Sequence, residues 1–95
     1  MRKTFLFLFL CPSLASLSQK PCSRPEYRQF DFWIGEWDVF NPAGDWIGAS
    51  TVTREEAGCL LIERWTSAKG NTGQSYNFYD PSRGQWRQVW LSATE

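Results

Sequence analysis

Apolar and polar positions in this chain follow three successive patterns. Phe5 to Leu10 is an unbroken apolar run behind Arg2 and Lys3. Small residues follow it at Ser13, Ala15, Ser16 and Ser18. This basic–apolar–small order over residues 1–18 is that of a secretory signal peptide, cut after Ala15 or after Ser18. The run is far short of the roughly 20 residues a membrane span needs. Residues 19–25 are polar, contain Pro21 and Pro25, and should be irregular. Pro25 can then open a short helix. Tyr27, Phe30 and Ile34 have helical spacing over residues 26–34, and Gly35 ends it.

Beyond Gly35 the period becomes two. Glu36 and Asp38 alternate with Trp37 and Val39, which predicts a strand over 36–41. Further strands are predicted over 46–54, 59–67, 74–80 and 85–92, separated by Gly-, Pro- and Asp-rich turns. Gly48 inside the second strand suggests a bend or bulge. The fold class expected is therefore all-β with one short N-terminal helix. Its sheet is an antiparallel up-and-down meander of about five strands. An enclosing barrel needs about eight strands, so five would leave two open edges. The expected domain over residues 26–95 is a partial barrel, part of a longer domain, with edge-strand self-association as one consequence. Trp33 and Trp37 flank Gly35, and both are expected to be buried anchors between helix and sheet.

Composition narrows the chemistry. Ten Lys and Arg balance ten Asp and Glu among 95 residues, and no basic stripe appears, which argues against a nucleic-acid partner. There is no His, so neither a Ser-His-Asp nor a Cys-His site can be assembled from this chain. No glycine-rich phosphate loop, C-x-x-C or metal-ligand spacing is present, and no cofactor follows from the residues. Loss of the signal would remove Arg2, Lys3 and Cys11, leaving a weakly acidic chain with Cys22 and Cys59. An even pair in an exported domain is a disulfide candidate, two free thiols being the alternative. Export would place the protein in the periplasm or outside the cell.

Aromatic residues make up 17% of the chain, including six Trp. Parity puts Glu63 with Trp65, Asn77 with Tyr79, and Gln88 with Trp90, each pair on one face of its strand. If the strands pair in order, Glu63, Trp65, Asn77, Tyr79, Gln88 and Trp90 form one face with Ser75 and Trp86. A one-residue slip would instead turn Leu60, Ile62, Phe78 and Val89 to that side. A face of rings, amides and a carboxyl suits a small-molecule cavity, so these six are the expected ligand-binding residues. The alternative is structural packing of the rings. Glu63 is the candidate acid or base, because desolvation among tryptophans raises a carboxyl pKa. A salt bridge to Arg54, Arg64 or Arg87 is its structural alternative.

The segments FDFWIGEWDVF (Phe30 to Phe40), Gly58 to Trp65, SYNFYDP (Ser75 to Pro81) and GQWRQVW (Gly84 to Trp90) resemble a family of exported, mostly bacterial, lipocalin-like proteins of unknown function. That family is distantly similar to the calycins and the nitrobindin type of haem barrel. The resemblance implies a calycin-like barrel plugged by a short helix, in a domain nearly twice this length. Leu91-Ser92-Ala93 stands where the family usually has an acidic or amide residue. Any haem-coordinating His would lie on strands outside this sequence. Three functional readings follow. One is an exported, non-enzymatic binder of a small hydrophobic or aromatic molecule. Another is a barrel enzyme using Glu63. The last is a truncated product without activity.

Overall fold

The computed structural model describes Lys3 and residues 20–94. Apart from Lys3, the expected signal segment lies outside the described residues, as do its cleavage points. Five strands form one sheet in the order β1-β2-β3-β4-β5, each antiparallel to its neighbours. They are β1 (Gly35–Phe40), β2 (Trp46–Glu55), β3 (Leu60–Ser67), β4 (Thr72–Asp80) and β5 (Gln85–Ser92). The expected strand boundaries hold to within about two residues. The sheet is open, with β1 and β5 as its edges, and it does not close into a barrel.

Two local corrections concern the ends of elements. The expected helix over 26–34 is instead a pair of 3-10 turns, Pro25–Arg28 and Asp31–Trp33. A nine-residue helix is marginal by itself. Here Arg28, Gln29 and Asp31 each bond a different part of the molecule, and those long-range bonds outweigh continuous helical hydrogen bonding. Cys59 closes a tight turn rather than opening β3, its N–H donating to the Glu56 carbonyl at 3.0 Å. Near Gly48, Val39 pairs with Gly48 but Phe40 pairs with Trp46, so Ile47 is the extra residue of a bulge.

The register settles the parity argument. Glu63 lies opposite Ser75, and Ser75 opposite Trp90. Leu61 lies opposite Asn77, Asn77 opposite Gln88, and Tyr79 opposite Trp86. The six expected residues therefore share one face. The N-terminal turns pack on that face. The Tyr27 ring meets Tyr79 edge-on at 5.3 Å, and Phe30 meets Trp86 edge-on at 4.9 Å. Val52, Leu61, Ser50, Ser75 and Asn77 are buried there, while Ile62 is the buried apolar side chain of the opposite face among the described residues.

Two tryptophans of the inner face lie over glycines of the preceding strand. A Cβ on Gly48 would sit 2.4 Å from the Trp65 ring, and one on Gly73 would sit 2.3 Å from the Trp90 ring. The same diagonal recurs in both hairpins. Gly48 pairs with Ser67, two residues beyond Trp65, and Gly73 pairs with Ser92, two beyond Trp90. Large rings can lie flat on the sheet because glycine leaves the space beneath them. Trp37 departs from expectation. It is 42% exposed at the β1 end, and its indole Nε1 donates to the Trp33 carbonyl at 2.7 Å. Trp33 itself is half-buried. The pair is tied together, but only Trp33 is inserted.

A covalent link fastens the leader to the sheet. Cys22 and Cys59 form a disulfide with their Cα atoms 5.1 Å apart. Arg28 reinforces it, its Nη2 donating to the carbonyls of Cys22 at 2.7 Å and Gly58 at 2.8 Å. Gly58 has φ +92°, and a Cβ there would come within 2.6 Å of the same guanidinium. Only glycine meets both demands at no cost.

Candidate functional site

The N-terminal turns stand off from part of the inner face and leave a cleft of about 390 Å³. Phe30, Phe32 and Trp33 form one wall. Trp86 and Gln88 of β5, Asn77 of β4 and the Arg87 position form the other. That volume lies within the usual range for small-molecule sites. Local sequence explains the aromatic wall. Residues 30–33 carry three aromatic rings around one aspartate, more than one face of a helix can bury. Asp31 pairs with Arg54 on the inner face of β2, while Phe30 lies against Trp86 of β5. Phe30 leans on Trp86 and lies 5.8 Å from Phe32. The Trp86 indole Nε1 donates to Gln29 Oε1 at 3.0 Å, which holds β5 against the turn.

The polar floor is a chain of hydrogen bonds across three strands. Gln88 Nε2 donates to Asn77 Oδ1 at 2.8 Å. Asn77 Nδ2 donates to Ser75 Oγ at 2.9 Å and to the Leu61 carbonyl at 3.2 Å. Ser75 Oγ donates to Glu63 Oε1 at 2.9 Å. Ser75 and Asn77 are buried, so leaving either unpaired would cost about 1–3 kcal/mol. The chain satisfies both.

The six expected residues therefore share a face but not one hollow. Asn77 and Gln88 line the cleft. Trp65 lines a second, more open hollow of about 530 Å³ at the far end of β3, β4 and β5. Glu63, Tyr79 and Trp90 line neither. Tyr79 is engaged by Tyr27 and Trp86, and Trp90 by Gly73. Glu63 lacks the arginine partners considered for it. Arg54 pairs with Asp31, Arg64 with Glu55 at 3.3 Å, and Arg87 stands 3.9 Å from Asp80. Among the described residues the Glu63 carboxylate has no ion pair, and it receives the Ser75 hydroxyl instead.

Phe30, Phe32, Trp33 and Arg87 belong to the cleft but not to the expected set. Trp86, placed on this face by the parity it shares with Gln88 though not among the six, lines the cleft as well. The crowding of rings at residues 30–33 was the signal for the other wall. Among the described residues no group of three or more His, Cys, Asp or Glu is placed to hold a metal ion. No helix among them is long and apolar enough to cross a membrane. Comparison with family models, curated proteins and solved structures gives no match.

Proposed function

We propose that this chain is an exported, non-enzymatic protein that binds a small hydrophobic or aromatic molecule on the inner face of its sheet. One observation carries the reading. The cleft of about 390 Å³ sets a wall of aromatic rings against two hydrogen-bonded amides. Apolar walls with a few oriented polar groups are the usual build of a ligand site. Export is supported by the Cys22–Cys59 disulfide together with the basic–apolar–small order of residues 1–18. The lipocalin-like reading is supported by the next-neighbour strand order and the N-terminal segment packed on one face. Glu63 lies outside the cleft, and its part in this reading is to anchor the polar chain beneath Gln88.

Native mass spectrometry of the exported, disulfide-bonded protein tests the proposal directly. A retained small molecule, lost after Phe30→Ala, is the expected result. Phe30 is 40% exposed, so its truncation should weaken binding without unfolding the sheet. The reading fails if no small molecule is retained and aromatic probes show no saturable binding at millimolar concentration.

A further inference from the structure

We infer that the cleft selects an aromatic ligand carrying a hydrogen-bond donor, such as a phenol, because its polar group is the carbonyl oxygen of Gln88. This rests on the ligand-binding reading above and adds the chemistry of recognition.

The argument follows the direction of each hydrogen bond. An amide can be turned end for end, so its orientation has to be deduced from partners that have only one role. Two such partners bracket this chain. The Glu63 carboxylate can only accept, and it takes the Ser75 hydroxyl hydrogen at 2.9 Å. Ser75 Oγ has then used its hydrogen and must accept from Asn77, 2.9 Å away. The Leu61 carbonyl also can only accept, and it faces the same Asn77 nitrogen at 3.2 Å. Both neighbours thus require Nδ2 of Asn77 on their side and turn Oδ1 toward Gln88. Oδ1 can only accept, so Gln88 must present Nε2 to it, at 2.8 Å.

Gln88 is left with Oε1, which has no hydrogen-bond partner among the described residues, and one spare Nε2 hydrogen. Gln88 lines the cleft beside Phe30, Phe32 and Trp86. The indole Nε1 of Trp86 is already committed to Gln29. A ring lying against the aromatic wall can therefore give a hydrogen to Oε1, and a phenolic oxygen can also accept from the spare N–H. An ether of the same shape has no hydrogen to give Oε1.

Calorimetric titration of the full, disulfide-bonded protein with 2-naphthol and with 2-methoxynaphthalene tests the inference. The expected result is a preference of about tenfold for 2-naphthol, the effect of one hydrogen bond of ordinary strength. Gln88→Leu, at an exposed edge-strand position, should lose the preference and bind the two probes alike. Equal binding of the two probes by the native protein overturns the inference and leaves ligand binding intact. A preference that survives Gln88→Leu also overturns it, since the acceptor would lie elsewhere. Absence of saturable binding by either probe overturns the inference, and together with the absence of any retained small molecule it overturns the ligand-binding reading as well.

Discussion

Single residues in this protein are constrained by space as much as by chemistry. Gly48 and Gly73 both lie under a tryptophan, but they are not equivalent. A Cβ on Gly48 would meet the Trp65 ring at 2.4 Å and the Thr66 carbonyl oxygen at 2.6 Å, and backbone cannot move aside. A Cβ on Gly73 would meet mainly the Trp90 ring, which is 46% exposed and free to swing outward. Gly48→Ala should therefore destabilise by about 2–3 kcal/mol and Gly73→Ala by about 1 kcal/mol. Urea denaturation of the two variants checks the ranking, and a reversed order would mean that Trp90 is the more tightly held ring. Asp80 is a second residue-scale case. Its carboxylate accepts the Ser82 hydroxyl at 2.7 Å and the Arg83 guanidinium at 2.9 Å, and these bonds lower its pKa from 3.8 to about 2. The folded state thus binds this proton less readily than the unfolded chain. The contribution of Asp80 to stability is complete above pH 3.8 and is lost as the pH falls through about 2. Asp80→Asn should flatten the acid limb of the stability profile in that window, as read by thermal melts between pH 5 and pH 2.

At the scale of elements, the leader and the β2–β3 corner behave as one clamp. The disulfide spans 37 residues of sequence, and Arg28 bridges the carbonyl of Cys22 and that of Gly58, the residue before Cys59. Reduction should lower stability by about 4 kcal/mol on the loop-closure argument. Denaturation with and without reductant measures it, and alkylation without reduction should label neither Cys22 nor Cys59. Gly58→Ala, which leaves the disulfide in place, should cost about 1–3 kcal/mol, because it strains a positive φ and displaces Arg28. A melting temperature unchanged in Gly58→Ala would show that the guanidinium relocates freely. The clamp also governs the cleft. The turns that carry Phe30 and Trp33 follow directly from the tethered leader, so reduction should weaken aromatic-probe binding along with stability.

For the whole molecule, the fully buried apolar core is thin. Val52, Leu61 and Ile62 are its buried hydrophobic side chains among the described residues, while Val89 is 46% and Leu91 59% exposed along the β5 edge. Small domains with little core depend on covalent staples, which is the physical place of Cys22–Cys59 here. An unpaired edge with adjacent apolar side chains is also a template for another strand. Sedimentation velocity should show concentration-dependent association of the native chain, reduced by Val89→Lys. A monomer at all concentrations would show that β5 is protected in solution. Such a charge on the outer face should leave the 2-naphthol preference unchanged, because Val89 faces away from Gln88.

The strands and their facing pairs were legible in the sequence because a period of two is a local property. Alternation at Glu63 and Trp65, or at Gln88 and Trp90, needs no knowledge of the rest of the chain. The turn residues then allowed only neighbour pairing, and the pair Cys22 and Cys59 that loss of the expected signal would leave suggested the disulfide. Other features depended on contacts between distant segments. The spacing of Tyr27, Phe30 and Ile34 reads as helical, yet Arg28, Gln29 and Asp31 are drawn to Gly58, Trp86 and Arg54, and two short turns result. Trp37 has the sequence of an anchor, yet it stays 42% exposed and is held only through its indole bond to the Trp33 carbonyl among the described residues. Glu63 had three arginines as candidate partners, but Arg54 on its own face is taken by Asp31 of the leader, while Arg64 and Arg87 lie on the other face beside Glu55 and Asp80. The sheet's inner side was decided by where the leader packs. The cleft needs that packing as well, because one wall comes from residues 30–33 and the other from residues more than forty positions along. Periodicity specifies which side chains point together, and tertiary packing specifies what they point at.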